Sequence, residues 1–161
     1  MITIGLRVYS NSKIYYCILE QPSGGGLNYL DISHVNVPKS LIWPEALNFI
    51  RNTILDILIE YNVTKAIIRI CEFGFILNKN LIERNYIEGV LQETIASSSV
   101  EKFLAGQISE FASLLAIPRN DFKKYANAQL TFANIPSSLN WNTFSVEQRE
   151  TILTANAAIN L

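Results

Sequence analysis

Charge is scarce in this sequence: Asp, Glu, Lys and Arg make up 17% of its 161 residues, against roughly a quarter in an average soluble chain. The 13 basic and 14 acidic side chains leave a formal net charge of −1, so no bulk charge draws the chain to phosphate. One histidine and two distant cysteines offer no zinc-ligand spacing and too little cross-linking for a disulfide scaffold. No apolar run approaches the ~18 residues a membrane helix needs. Met1 to Val8 lacks the basic start and apolar stretch of a signal peptide. The expectation is therefore a cytoplasmic protein without membrane association, in which Cys17 and Cys71 are reduced, buried thiols. What is abundant is apolar: 49% of residues are hydrophobic and mean hydropathy is +0.19. That excludes intrinsic disorder. It also points to covered surface, either in a homo-oligomer or against a protein partner.

Periodicity divides the chain. Ile2, Ile4, Leu6 and Val8 alternate with Thr3, Gly5, Arg7 and Tyr9, the period of a strand. Ser10 to Ser12 supplies turn chemistry, and Lys13 to Glu20 completes a hairpin. Gln21 to Gly26 is a glycine-rich turn; Gly24 to Gly26 lacks the Lys-Ser/Thr of a phosphate loop and precedes a strand. Leu27 to Val37 is the third strand, closed by Pro38. The period then changes. Leu47, Ile50, Ile54, Leu58 and Tyr61 recur at helical spacing after Pro44. Lys65 to Cys71 is a near-continuous β-branched run, the mark of a strand covered on both faces and reached by a parallel crossover.

A loop from Glu72 to Lys79, with Gly74, leads to a helix from Leu81 to Ala96. Its start is read as an Asn80–Glu83 capping box and its inner face as Ile82, Tyr86, Val90 and Leu91. Gly89 within it costs about 1 kcal/mol against Ala, which suggests a close packing contact. Val100 to Leu104 reads as a short strand, Gln107 to Ile117 and Asp121 to Gln129 as helices. Residues 133–143 form an internal linker within a single 1–161 domain. Ser145, with Gln148 three residues on, caps a last helix to Ile159.

Several constellations have plain structural readings. His34 and Asp31 lie three apart on an alternating strand and so face opposite ways, which denies them a shared catalytic site. Tyr15 and Tyr16 point to opposite faces for the same reason, leaving one of them available at the surface. Arg119, Lys123 and Lys124, and Lys79 with Arg84, form basic clusters near Phe122, Tyr125 and Tyr86. They read as solvated helix faces, with contact to a nucleic-acid backbone as the alternative. Trp43 and Trp141 read as anchors for loops.

The element order is a three-strand antiparallel meander followed by two crossover units, implying a mixed five-stranded sheet flanked by helices. It resembles the ribonuclease-H-like fold. The stretches IGLRVYSNSKIYYCILE, EYNVTKAIIRICEFGF, ERNYIEGVLQET and EQRETILTANAAI further resemble a small bacterial family of unknown function with a degenerate RuvC-like domain. Nucleases of this fold hold two divalent ions, Mg²⁺ or Mn²⁺, on carboxylates from the first strand, the fourth strand and the last helix. The resemblance puts Leu6 or Arg7 at the first of these positions. At the second it offers Glu72, or Ile70 on the same strand face. At the third it offers Glu147 and Glu150, with Arg149 competing for the place. A missing first acid implies a pseudo-nuclease without a cofactor, in which Arg7 stands in for a cation and pairs with Glu72. The alternatives are a metal-dependent nuclease built on Glu72, Glu147 and Glu150, and a non-catalytic nucleic-acid binder.

Overall fold

The computed structural model describes residues 1–72, 78–136 and 138–161. Gly74 in the expected 72–79 loop and Ser137 in the expected linker lie outside the described residues. Strand β1 (Ile2–Ser10) pairs antiparallel with β2 (Lys13–Glu20), and β2 with β3 (Asn28–Asn36). Gly25 and Gly26 take φ of 84° and 80° in the connection between β2 and β3, a region side chains avoid. On the other side of β1 lie β4 (Lys65–Arg69) and β5 (Lys102–Gly106), both parallel to it. The order β3-β2-β1-β4-β5 is the mixed sheet that a meander and two crossovers dictate.

Alternation along the strands builds two cores. Ile4, Leu6, Val8, Ile14, Tyr16, Ile18, Ala66 and Ile68 face helices α1 (Trp43–Glu60) and α2 (Lys79–Ala96). Cys17, Leu19 and Ile67 face the other way, toward α3 (Ile108–Leu114), α4 (Arg119–Ala126) and α5 (Val146–Ala158). Central β4 is thus covered on both sides, which explains its unbroken apolar run. Helix α1 buries Ala46, Ile50, Ile54 and Leu58, close to the face its spacing predicts. Trp43 belongs to this helix, not to a loop before it.

Helix α2 departs from the sequence reading. Its cap is Asn78, whose side chain accepts from Leu81 N at 3.0 Å, two residues ahead of Asn80. Its buried face is Glu83, Ile87, Glu88, Leu91, Thr94 and Ile95, while Tyr86 is exposed. Two carboxylates inside that face hid it from a purely apolar template. Glu83 accepts from Asn11 Nδ2 at 2.7 Å and Trp43 Nε1 at 3.2 Å, tying α2 to the hairpin turn and to α1. The Asn11 bond, with the Trp43 bond and Lys79 behind it, holds the Glu83 carboxyl below its usual range. Gly89 makes no close contact; a Cβ there would meet open space. Strand β5 begins two residues later than the sequence suggests, because Thr64 O takes the amides of Glu101 and Lys102 first.

Helix α5 is buried all round from Arg149 to Ala158, so it reads as small and polar rather than amphipathic. Its side chains donate within the helix: Thr151 Oγ1 to Gln148 O at 2.8 Å and Asn156 Nδ2 to Ile152 O at 2.8 Å. Thr3 Oγ1 donates to Ala155 O at 2.9 Å. The helix rests on β1 at Gly5, where a Cβ would overlap Thr151 O and Ala155 N. The close packing expected at Gly89 is therefore found at Gly5. Among the described residues no helix is long and apolar enough to cross a membrane. Gly5→Ala is expected to lower stability by at least ~3 kcal/mol in chemical denaturation, since rigid backbone must move. Gly89→Ala, in open space on a helix, should raise it by up to ~1 kcal/mol. Equal effects at the two sites would refute this packing.

Candidate functional site

Seating α5 on Gly5 places its first turns over the neighbouring residues of β1 and β4. Side chains two apart on a strand share a face, so Arg7 points with Gly5 toward α5, whereas Leu6 is wholly buried on the α1–α2 side. Arg69 is the register partner of Arg7 across the parallel pair. Both guanidiniums converge on one carboxylate oxygen. Arg7 Nε lies 2.8 Å and Arg69 Nε 2.9 Å from Glu150 Oε2. Arg7 Nη1 lies 3.4 Å from Glu147 Oε1, one helical turn away.

This is a buried cluster. Glu150 is 6% exposed and Arg69 9%. Burial pushes the Glu150 carboxyl upward, opposed by the guanidiniums of Arg69 and Arg7. Burial likewise lowers the Arg7 pKa, opposed chiefly by Glu150. Arg84 of α2 adds its field to both groups. Its Nε is held by Glu88 at 2.7 Å, and that carboxylate also takes the Cys71 amide at the end of β4. Three arginines and three glutamates thus meet near the carboxyl ends of the two central strands, with opposite signs interleaved.

The sequence candidates sort as follows. Arg7, Glu147 and Glu150 come together. Glu72 does not join them: β4 ends at Arg69, and Glu72 meets Arg119 at 3.9 Å. The expected Arg7–Glu72 pair is therefore replaced by Arg7 with Glu147 and Glu150. Ile70 packs against the α1–α2 core. Arg149 turns away, donating to Ala126 O at 2.6 Å, Phe144 O at 2.6 Å and Trp141 O at 3.3 Å. It ties the stretch from Trp141 to Phe144 to the body, helped by Trp141, which is buried and donates to Tyr125 O. Sequence reasoning missed Arg69. The signal was its place in β4, one residue before Ile70 and on the opposite face.

Could this arrangement hold divalent metal? Hard cations need several oxygen ligands. Here two carboxylates face two guanidiniums at ion-pair distance, and a dication would sit against like charge. The residues do not fit a two-metal site. The basic clusters also change meaning, because Phe122 is wholly buried and leaves Arg119, Lys123 and Lys124 without an exposed aromatic from that position. Cys17 is buried, which pushes its thiol pKa far up; Cys71 is only half-buried.

No protein-family model and no curated protein matches this sequence. Solved structures do. RuvC of Thermus thermophilus in complex with Holliday junction substrate matches with a TM-score of 0.69 at 12% identity, over 99% of this chain and 94% of that one. A second Thermus thermophilus RuvC structure gives 0.68 at 12% identity over the same shares. The yeast mitochondrial Holliday junction resolvase Ydc2 gives 0.58 at 13% identity, over 98% and 78%. The chain has the RuvC-like, ribonuclease-H-like fold, as its element order implied. Glu150→Gln, which strands two buried guanidiniums, is expected to cost about 3 kcal/mol. Glu147→Gln, on the open side of the cluster, should cost less than ~1 kcal/mol. Urea titration separates the two, and a loss at Glu150 no larger than at Glu147 would mean the cluster is solvated.

Proposed function

We propose that this protein is a non-cleaving RuvC-fold domain that works by association rather than by catalysis. The observation that carries the reading is the double ion pair of Arg7 and Arg69 on Glu150. A guanidinium delivers fixed positive charge and five donors but no open coordination position. It can neutralise the carboxylates of the last helix, yet it cannot activate water or stabilise a leaving oxygen as a bound metal does. The alternative of a nuclease using Glu72, Glu147 and Glu150 is not favoured, because Glu72 stands with Arg119 and Glu150 faces two guanidiniums.

Association with a second copy or a protein partner is supported at the α1–α2 groove. Leu47, Tyr86, Gly89 and Val90 line a shallow, largely apolar depression of about 460 Å³. Tyr86 is 53% exposed, and the glycine leaves room for a backbone to approach. We favour a second copy, because a groove flanked by two helices can accept a helix of the same pair from a symmetry mate.

Titration calorimetry with Mn²⁺ is expected to show no saturable site, and incubation with Mn²⁺ or Mg²⁺ no cleavage of duplex, single-stranded or four-way-junction DNA, or of RNA. Cleavage abolished by Glu150→Gln would overturn the reading. Sedimentation analysis should show concentration-dependent dimers that Gly89→Arg abolishes without unfolding the chain. A species monomeric at every concentration would remove the groove from the proposal.

A further inference from the structure

Three carboxylates are buried among the described residues: Glu83, Glu88 and Glu150. Glu88 has a guanidinium at 2.7 Å, and Glu150 has two, at 2.8 and 2.9 Å. Glu83 has no such partner. Its close donors are neutral, the Asn11 amide at 2.7 Å and the Trp43 indole at 3.2 Å. Among the described residues the one cation within 4 Å of it is Lys79 at 3.7 Å, whose side chain is 86% exposed and so pairs weakly. The Asn11 hydrogen bond keeps the carboxyl pKa down, so the group carries its charge at neutral pH. An ionised carboxylate accepts about four hydrogen bonds, of which Asn11 and Trp43 supply two.

The same side chain lines a cavity of about 270 Å³ shared by the β1–β2 turn, residues 37–41 and the first turns of α1 and α2. Val37, Leu41 and Trp43 give this cavity an apolar wall. Lys39, exposed and in no ion pair among the described residues, gives it a positive group. An apolar ligand would strand the Glu83 charge away from water. A bare divalent ion would find one carboxylate where it needs several oxygens. An anion alone would be repelled by Glu83. What fits all three features is a molecule with a cationic end, an anionic end and a short carbon body.

We propose that this cavity binds a small aliphatic zwitterion of the amino-acid class. Its ammonium meets Glu83, its carboxylate meets Lys39, and its carbon chain lies against Val37, Leu41 and Trp43. An ammonium brings three donors, which the open places on Glu83 can take. Bound, the ligand joins the hairpin turn to both helices, so it also stabilises the fold by mass action. The cavity shares no lining residue with the ion-paired cluster or with the α1–α2 groove, and the proposal stands or falls apart from association.

The test is nuclear magnetic resonance of the ¹⁵N-labelled full chain, following the indole N–H signal of Trp43. Trp141 is the internal reference, because its indole donates to Tyr125 O in the other core. Leucine and 4-aminobutyrate are the probes. At least one is expected to move the Trp43 signal saturably, with a Kd at or below ~1 mM, while Trp141 stays put. Tighter binding of leucine places both charges on one carbon; tighter binding of 4-aminobutyrate places the carbon chain between them. N-acetylleucine and leucinamide, each lacking one charge, should bind at least about tenfold more weakly. Glu83→Gln should abolish the response. Lys39→Gln, at an exposed position that the fold does not need, should weaken it about threefold and keeps the test decisive if Glu83→Gln does not fold. The proposal is overturned if neither probe moves the Trp43 signal up to ~20 mM, if the singly charged analogues bind as well as the amino acids, or if Lys39→Gln binds like the parent.

Discussion

A carboxylate wedged between a helix and a sheet demands cations, and the body of this protein is arranged to supply them. Glu150 is among the most enclosed charged groups of the molecule. Removing a charge from water costs several kcal/mol even after relaxation, and one arginine brings its own desolvation cost. Two arginines on adjacent parallel strands, in register, share that oxygen at hydrogen-bond distance. The geometry requires α5 to lie flat on β1, which in turn requires a glycine where the helix touches. Arg7, Gly5, Arg69 and Glu150 are thus one device spread over three elements. With Glu147 beside Arg7 its charges cancel locally, so little of it shows in the composition.

Most of the architecture could be read from periodicity. The hairpin, the third strand, α1 and the buried β4 all announce themselves through alternation, helical spacing or an unbroken β-branched run, and their order implies the sheet. Failures came where polar residues are buried. Helix α2 turns Glu83 and Glu88 inward, and no apolar template could have found that face. Gly89 interrupts a helix and so reads as the contact glycine, while Gly5 reads as a neutral member of an alternating strand. The difference lies in what sits above each residue, which is tertiary information.

The site was legible in part for the same reason. Arg7, Glu147 and Glu150 could be named because a family pattern says where on the chain to look. Arg69 could not, since the ion pairs depend on the register of β1 against β4, and a slip of one residue would turn Arg69 to the other face. Glu72 attracted attention as the acid nearest the strand end, but the strand stops before it. The tyrosine pair on β2 was half visible: Tyr15 and Tyr16 had to face opposite ways, and the structure decides which one stays in the open.

The contact between Thr3 and Ala155 spans 152 residues of sequence, and this has a consequence for how the chain is made. Strand β1 leaves the ribosome well ahead of α5, the helix that covers one of its faces. Until then Cys17, Leu19 and Ile67 lack the largest part of their cover. Non-local closure of this kind slows folding, and it leaves a partly built sheet sticky in the interval. A nascent chain halted before Val146 should therefore be a client for chaperones, however well the finished domain behaves.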